Sequence, residues 1–169
     1  GVVGGWVRPD AGTPLEFPED DHDIKLALMD GSSIWHSAAM IRRSVLDGSG
    51  VRYEADFSPA EDYRLWMRLL PLTVFHNLRE VVLDYRRHGR NTSTVRLQEL
   101  NARVARIQAE AKVCESGLYA EYELVRTAMR RIRLFGIPIL KVVETRYETE
   151  VFLFGRIPLL RISRRFWTW

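Results

Sequence analysis

The 169-residue chain is 46% hydrophobic and 28% charged, which fits a globular domain, or part of a larger one, and excludes an intrinsically disordered protein. Its single cysteine, Cys114, excludes an internal disulfide, and no apolar run reaches the ~20 residues of a membrane-spanning helix. The formal net charge of +3 comes with clusters of arginine, which favour phosphate groups or an anionic membrane surface as partners.

The first third of the chain predicts short strands and helices in alternation. GVVGGWV predicts a strand followed by a turn at Arg8–Thr13, and its lack of a polar lead-in indicates a piece of a longer protein. Carboxylates stabilise the start of a helix, so Asp20, Asp21 and Asp23 predict a helix N-terminus. The segment SSIWHSAAMIRRSVLDGSG then predicts a short apolar stretch and a glycine-rich turn at 48–50.

The middle of the chain contains the clearest helix. SPAEDYRLWMRLLP predicts an amphipathic helix bounded by Pro59 and Pro71. The later apolar run that includes Val81, Leu83 and Tyr85 predicts a strand.

The last part of the chain changes character. Residues 94–133 have helical spacing and predict two helices with a break near Ser116–Gly117. The runs at 134–142 and 153–162 then repeat one apolar pattern around a central proline, which is typical of edge or irregular strands.

Two adjacent carboxylates, Glu61 and Asp62, open the clearest helix. Ser58 and Glu61 have the spacing of a capping box, in which each side chain bonds a free backbone N–H, and this favours a structural role for Glu61. Asp62 lies one turn before Trp66 and near the apolar face, where burial would raise its pKa and make it a better proton acceptor. For Asp62, helix-end electrostatics and a chemical role both stay open.

The segment from IWHSAAMIRRSVL through YEADFSPAEDYRLWMRL to NLREVVLDYRRHGRNTS resembles the acceptor-side half of family 2 glycosyltransferases with the GT-A fold. The residues that carry the resemblance are His36, Ser37, Arg42, Arg43, Tyr53, Glu61, Asp62, Tyr63, Leu65, Trp66, Arg68, Tyr85, Arg86, Arg87 and His88. The resemblance covers roughly residues 1–95. It implies an α/β fold, with 1–93 the C-terminal half of the catalytic domain, 94–133 a helical extension and 134–169 a repeated apolar and basic tail.

The resemblance also implies an activity, the inverting transfer of a sugar from a nucleotide-sugar donor to an acceptor hydroxyl in cell-surface polysaccharide synthesis. Asp62 is the expected base, and Glu61 the residue that fixes the helix start. The substrate-binding candidates, each with a structural alternative, are His36 and Tyr53 on the acceptor side, Trp66 as a stacking surface, and Arg86, Arg87 and His88 near the diphosphate. Trp66 also fits a core position, and the arginines also fit a solvated strand end.

A divalent metal, Mg or Mn, is the implied cofactor, with its main ligands in an Asp-x-Asp motif expected upstream of this chain. His88 is a tentative further metal ligand, since a neutral imidazole binds metals well. The literal Asp-x-Asp at Asp21 and Asp23 lacks a preceding apolar strand, so we interpret it as the start of a helix. On this interpretation the chain alone is incomplete and inactive.

The alternative function is a non-catalytic basic module that binds a membrane surface or a partner protein. The tail LFGRIPLLRISRRFWTW mixes apolar, aromatic and arginine residues as interfacial segments do, and its plain alternative is a hairpin formed by the two repeated runs. For the glycosyltransferase, the expected partners are a nucleotide sugar and a glycan or lipid-linked acceptor. The expected location is the cytoplasm, with peripheral association at the inner face of the membrane. Nucleic acid is not expected, because the arginine clusters come with no recognised motif.

Overall fold

The computed structural model describes residues 1–10, 12–86, 91 and 95–126, and four later strands for which it gives the backbone. The chain divides into two compact units, Gly1–Tyr119 and Ala120–Trp169. The first unit is mixed α/β, as expected, and the division of the parent protein at residues 93 and 133 stays a prediction.

The first unit contains most of the regular structure. Its elements, the last of which continues into the second unit, are β1 (Val2–Pro9), α1 (Asp21–Leu28), β2 (Met40–Ile41), α2 (Arg43–Ser49), α3 (Glu61–Leu69), β3 (Phe75–Tyr85), α4 (Leu97–Cys114) and α5 (Ser116–Arg126). The predicted strands β1 and β3 and the predicted helices α1 and α3 are confirmed. Helix α2 was not predicted, and the glycine-rich turn is its C-terminal end, where Gly50 has a φ of 67°.

The sheet of the first unit has three strands in the order β2-β1-β3. β1 pairs in parallel with β3, from Val2 opposite Phe75 to Pro9 opposite Tyr85, and antiparallel with the short β2. Two parallel neighbours need a long crossover connection, and helices α1 to α3 lie within it. The carboxyl ends of β1 and β3 therefore meet at one edge of the sheet.

The core of this unit lies between the sheet and the helices of the crossover. Side chains with at most 1% exposure come from the sheet and from both of the flanking helices, and they include Val2, Val7, Ile24, Leu28, Leu65, Trp66, Leu69 and Phe75. One polar residue, Asn77, is completely buried with them. Its Nδ2 donates to Pro18 O at 2.8 Å and to Ser33 O at 3.0 Å, so it fixes the chain on both sides of α1.

Helix α4 packs against α3 and is joined to it by charge. The Arg64 side chain on α3 is only 15% exposed, and it bonds Glu54 at 3.0 Å and Glu110 on α4 at 2.5 Å. Its guanidinium also lies 4.3 Å from the centre of the Phe57 ring, against which Arg106 of α4 packs at 4.5 Å. These contacts hold the loop before α3, α3 itself and α4 as one assembly.

The second unit contains four antiparallel strands in the order β4-β5-β6-β7, at Ala128–Leu134, Ile137–Glu144, Glu148–Leu153 and Ile157–Ser163. The predicted helix break is confirmed at Glu115, but the helical prediction for residues 128–133 is wrong because β4 occupies them. The sequence RIRL within β4 alternates charged and apolar residues, which is the period of a strand.

Both proline-containing runs of the tail form strands, as predicted, and the register shifts where Pro138 and Pro158 face the neighbouring strand. The expectation of edge or irregular strands is confirmed for both runs, because β7 is an edge strand and β5, which has partners on both sides, has an irregular register at its proline. The hairpin alternative is also wrong, since β6 lies between the two runs. Within the described chain, no helix is long and apolar enough to cross a membrane.

Replacing Gly4 in β1 by alanine should destabilise the chain. A Cβ there would overlap Asn77 Oδ1, whose amide is held by two hydrogen bonds, and overpacking of this kind costs about 1–3 kcal/mol. Gly48→Ala in α2 is the matched control, because a Cβ there meets no atom within 4 Å and helix propensity favours alanine by up to about 1 kcal/mol. Urea unfolding of both variants measures the difference, and equal stabilities would contradict the packing described for Gly4.

Replacing Arg64 by methionine should cost about 1–2 kcal/mol, because Glu54 and Glu110, whose side chains are 35% and 37% exposed, then lose their shared partner. Arg68 and Arg106 still face these two carboxylates, which limits the loss. Arg43→Met is the control, since the Arg43 side chain is 93% exposed and exposed ion pairs contribute little. Thermal unfolding measures the stability of both variants. A similarly small loss of stability in the two would contradict the role of Arg64 in joining the loop before α3 to α3 and α4.

Candidate functional site

Helix α3 begins at Glu61, and the predicted capping box is wrong. The residue before the helix is Ala60, whose side chain makes no capping hydrogen bond. The chain first makes a 3-10 turn at Ala55–Phe57, after which Ala60 N donates to Phe57 O, so the helix starts too late for Ser58 to cap it. Ser58 Oγ instead accepts a hydrogen bond from Arg96 at 3.2 Å.

Asp62 is the carboxylate that bonds the backbone in this first turn. Its Oδ1 accepts from the Tyr63 N–H at 2.7 Å. Burial raises the pKa of Asp62 and the negative charge of Glu61 adds to this, whereas the Tyr63 N–H and the charge of His36 act in the opposite direction. Asp62 is therefore a partly buried carboxylate with increased proton affinity, as the sequence indicated.

Glu61 has a different environment from its neighbour. Its Oε2 is buried and has no hydrogen-bond partner among the residues that the structure describes. Arg96, the residue before α4, is near enough for the charge of Glu61 to raise the pKa of this arginine, after the larger effect of Glu99. Two carboxylates with unequal surroundings thus open the same helix.

His36, Tyr53 and Trp66 form one contact group, and this group lies beside Asp62. His36 Nε2 is 2.8 Å from Tyr53 Oη, and the imidazole also packs at 6.1 Å, between ring centroids, against the indole of Trp66. Trp66 follows Asp62 by one turn of α3, which brings the two to the same side of the helix. Five of the eight sequence-predicted site residues, Glu61 included, are thus brought together.

The hydroxyl of Tyr53 keeps its proton at neutral pH. Burial raises the pKa of Tyr53, and the negative charges of Asp62 and Glu61 raise it further. A protonated hydroxyl donates to Nε2 when the imidazole carries its proton on Nδ1, and accepts when Nε2 is protonated. The side chain is also 52% exposed, so it borders the solvent at this point.

The predicted stacking role of Trp66 does not fit its position. The side chain has 0% exposure, so its faces are covered by protein and are closed to a sugar ring. The sequence alternative, a core tryptophan, is the one that the structure supports. Trp66 contributes to the site as the buried side chain against which His36 packs.

The group lies at the carboxyl end of the parallel strand pair. The 3-10 turn at His36–Ala38 contacts β1 and β3, and the preceding Trp35 packs edge-on against Tyr85, the last residue of β3, at 5.0 Å between ring centroids. Ligands of open α/β sheets bind at this edge. Arg86 follows β3 directly and is exposed, whereas Arg87 and His88 lie outside the described residues.

The Asp-x-Asp of α1 lies in the first turn of a helix, as the sequence interpretation proposed. Asp21 Oδ1 accepts from Phe75 N at 2.8 Å, and its Oδ2 pairs with Lys25 at 2.9 Å. Asp21 thus ties α1 to β3. Among the described residues, no group of three or more His, Cys, Asp and Glu side chains could hold a metal ion.

Three residues of the site region were not found from the sequence. Arg64 joins the Tyr53 loop to α3 and α4, Arg96 bonds Ser58, and Trp35 packs on the end of β3. Each acts across a long stretch of sequence, so spacing within one segment carries no signal for it.

Comparison with known proteins gives one distant match. A curated protein of Haemophilus influenzae, described as an uncharacterized glycosyltransferase, is 27% identical over 110 residues, which cover 65% of this chain. The matched part spans about a third (33%) of that protein's length. No protein-family model and no solved structure match the chain. The match supports a relationship to a glycosyltransferase at a coarse level.

Replacing Asp62 by asparagine should leave the chain as stable as the wild type, or more stable, at pH 7. A raised pKa means that the folded state holds the proton more tightly than the unfolded state, so stability falls as pH rises through the window between the two pKa values. Asparagine has no such loss, and its Oδ1 can still accept from the Tyr63 N–H. The melting temperatures of the variant and the wild type should converge as the pH is lowered from 7 to about 4, near the ordinary aspartate pKa. A variant that melts well below the wild type at pH 7 would show that Asp62 is chiefly structural.

Proposed function

We propose that the chain is the acceptor-side half of a family 2 glycosyltransferase with the GT-A fold, and that Asp62 is its catalytic base. One observation carries the proposal: a partly buried carboxylate of raised pKa stands beside a histidine and a half-exposed tyrosine at the carboxyl end of parallel strands. The distant glycosyltransferase relative supports the reaction class.

In the proposed reaction, the acceptor hydroxyl gives its proton to the Asp62 carboxylate as its oxygen attacks the anomeric carbon of the donor sugar. The new glycosidic C–O bond forms while the bond to the nucleoside diphosphate breaks, and the configuration is inverted. A base acts well when its pKa approaches the working pH, and burial moves the pKa of Asp62 in that direction. Proton affinity and position therefore both favour Asp62 over the exposed carboxylates nearby.

His36 and Tyr53 are proposed to border the acceptor, because both are exposed and both lie beside Asp62. Arg86 is proposed to face the leaving diphosphate, and Arg87 and His88 keep their predicted roles without a structural basis. The acceptor is proposed to be a glycan or a lipid-linked sugar of cell-surface polysaccharide synthesis, on the cytoplasmic side of the membrane.

A divalent cation would neutralise the charge that develops on the leaving diphosphate. The described residues offer no matching ligand set, and Asp21 is already bonded to β3 and Lys25. The main metal ligands are therefore proposed to lie elsewhere in the parent protein, with His88 as a further candidate ligand.

A screen of sugar nucleotides and acceptors with the full-length protein tests the reaction class. In the active combination, Asp62→Asn should lower kcat by roughly 10²–10⁴-fold, the usual loss for a general base, because an amide cannot take the proton. Donor binding should stay close to that of the wild type, since the shape of the side chain is kept. Initial rates with saturating donor give kcat directly.

Asp56→Asn is the matched control, because Asp56 is exposed in the turn before α3 and undergoes the same chemical change. Its kcat should stay within a few fold of the wild type. If Asp62→Asn also stays within a few fold while Glu61→Gln loses the activity, the base is Glu61 and the assignment is wrong.

A further inference from the structure

The imidazole of His36 is held on two sides although the residue itself is exposed. Tyr53 bonds Nε2 at 2.8 Å and packs edge-on at 5.8 Å between ring centroids. The indole of Trp66 also contacts the imidazole, at 6.1 Å between ring centroids, and it is completely buried in the core. The hydrogen bond to Tyr53 and the packing on the buried indole therefore restrict rotation of the His36 side chain.

This fixed imidazole stands beside the carboxylate of Asp62. Asp62 and Trp66 are one helical turn apart, so a ring that packs on Trp66 lies near Asp62 as well. Among the described residues, the groups that face Asp62 are His36, Tyr53 and, on its own helix, Glu61. Arg96 acts on Glu61 rather than on Asp62 directly.

The loop that carries Tyr53 is itself held in place. Glu54, the next residue, pairs with Arg64 on α3 at 3.0 Å, and the buried Phe57 packs under the same guanidinium. Val51, two residues before Tyr53, is also buried. The Tyr53 hydroxyl can therefore act as a fixed point, even though half of its ring is exposed.

We propose that Tyr53 and His36 form a positioning pair, in which Tyr53 holds the imidazole beside Asp62 and the imidazole sets the pH above which Asp62 is ionised. Carboxyl groups titrate at acid pH, where an imidazole carries a positive charge and stabilises a neighbouring carboxylate. The pair thus opposes the effect of burial and widens the pH range in which Asp62 can accept a proton. The effect of this pair on the titration of Asp62 does not depend on the proposed function, whereas its effect on sugar transfer does.

The test measures the titration of Asp62 directly and needs no activity. Aspartate carboxyl carbons are labelled with carbon-13, and the Asp62 signal is assigned as the one missing from the spectrum of Asp62→Asn. His36→Gln should move the titration midpoint of Asp62 to higher pH, because the stabilising positive charge is gone. Tyr53→Phe should move it in the same direction by less, since the ring stays but its hydrogen bond to Nε2 is lost.

Because Tyr53 acts through His36, the double variant should show no larger change than His36→Gln alone. His76→Gln and Tyr63→Phe are the controls, and neither should move the midpoint. His76 is near the opposite, amino-terminal end of β3, and the Tyr63 hydroxyl donates to Leu28 O in the interior. An unchanged midpoint in His36→Gln, or an equal change in His76→Gln, would overturn the proposal. If His36→Gln fails to fold, the midpoint of Tyr53→Phe, which lacks only one half-exposed oxygen, decides.

Transfer assays then separate this inference from the proposed function. If the positioning pair and the catalytic base are both correct, the acid limb of the pH profile of kcat/KM moves to higher pH in His36→Gln. It moves by the same amount as the titration midpoint of Asp62. A moved midpoint in a protein whose transfer does not depend on Asp62 would keep the pair and reject the proposed base. Loss of transfer in Asp62→Asn with an unmoved midpoint in His36→Gln would keep the base and reject the pair.

Discussion

The buried amide of Asn77 is the constraint on which the site depends. It is the third residue of β3 and has no exposure, and its Nδ2 donates to the carbonyls of Pro18 and Ser33, which lie before and after α1. Buried carbonyls without a partner are costly, so the two segments are held where the amide can reach them. Ser33 lies three residues before His36, and the place of the imidazole therefore follows from a contact in the core.

Helix α3 joins the core and the site within nine residues. Its later turns bury Trp66 and Leu69, while its first turn presents Glu61 and Asp62. Trp66 belongs to both parts, because its indole fills the core and supports His36. The site therefore gains rigidity from hydrophobic packing, and it concentrates two carboxylates where their proximity and burial work against the stability of the fold.

The sequence predicted those features that depend on local periodicity. The strands β1 and β3 and the helices α1 and α3 each show an apolar pattern of the right period, and the environment of Asp62 follows from its place one turn before Trp66. The capping box failed because the motif assumes where a helix begins, and the 3-10 turn before α3 delays that start. Spacing could not show that Trp66 is closed to ligands, because a core position and a stacking position share one pattern.

Contacts between distant segments could not be predicted in the same way. His36 and Tyr53 are 17 residues apart, in irregular segments whose pairing depends on the packing of the whole unit. Helix α4 was predicted as a helix, but nothing in its spacing indicates that Glu110 would meet Arg64. The family resemblance named His36 and Tyr53 as site residues, whereas the contact between them comes only from the structure.

The guanidinium shared by two carboxylates also restricts how this sequence can change in evolution. Arg64 binds Glu54 from the loop that carries Tyr53 and Glu110 from α4, so loss of the arginine leaves two carboxylates without their shared partner. We therefore expect these three positions to change together among homologues. An uncharged residue at position 64 should occur where positions 54 and 110 are uncharged as well. Homologues that have lost α4 should lack this trio, and should fix the loop of Tyr53 by other means.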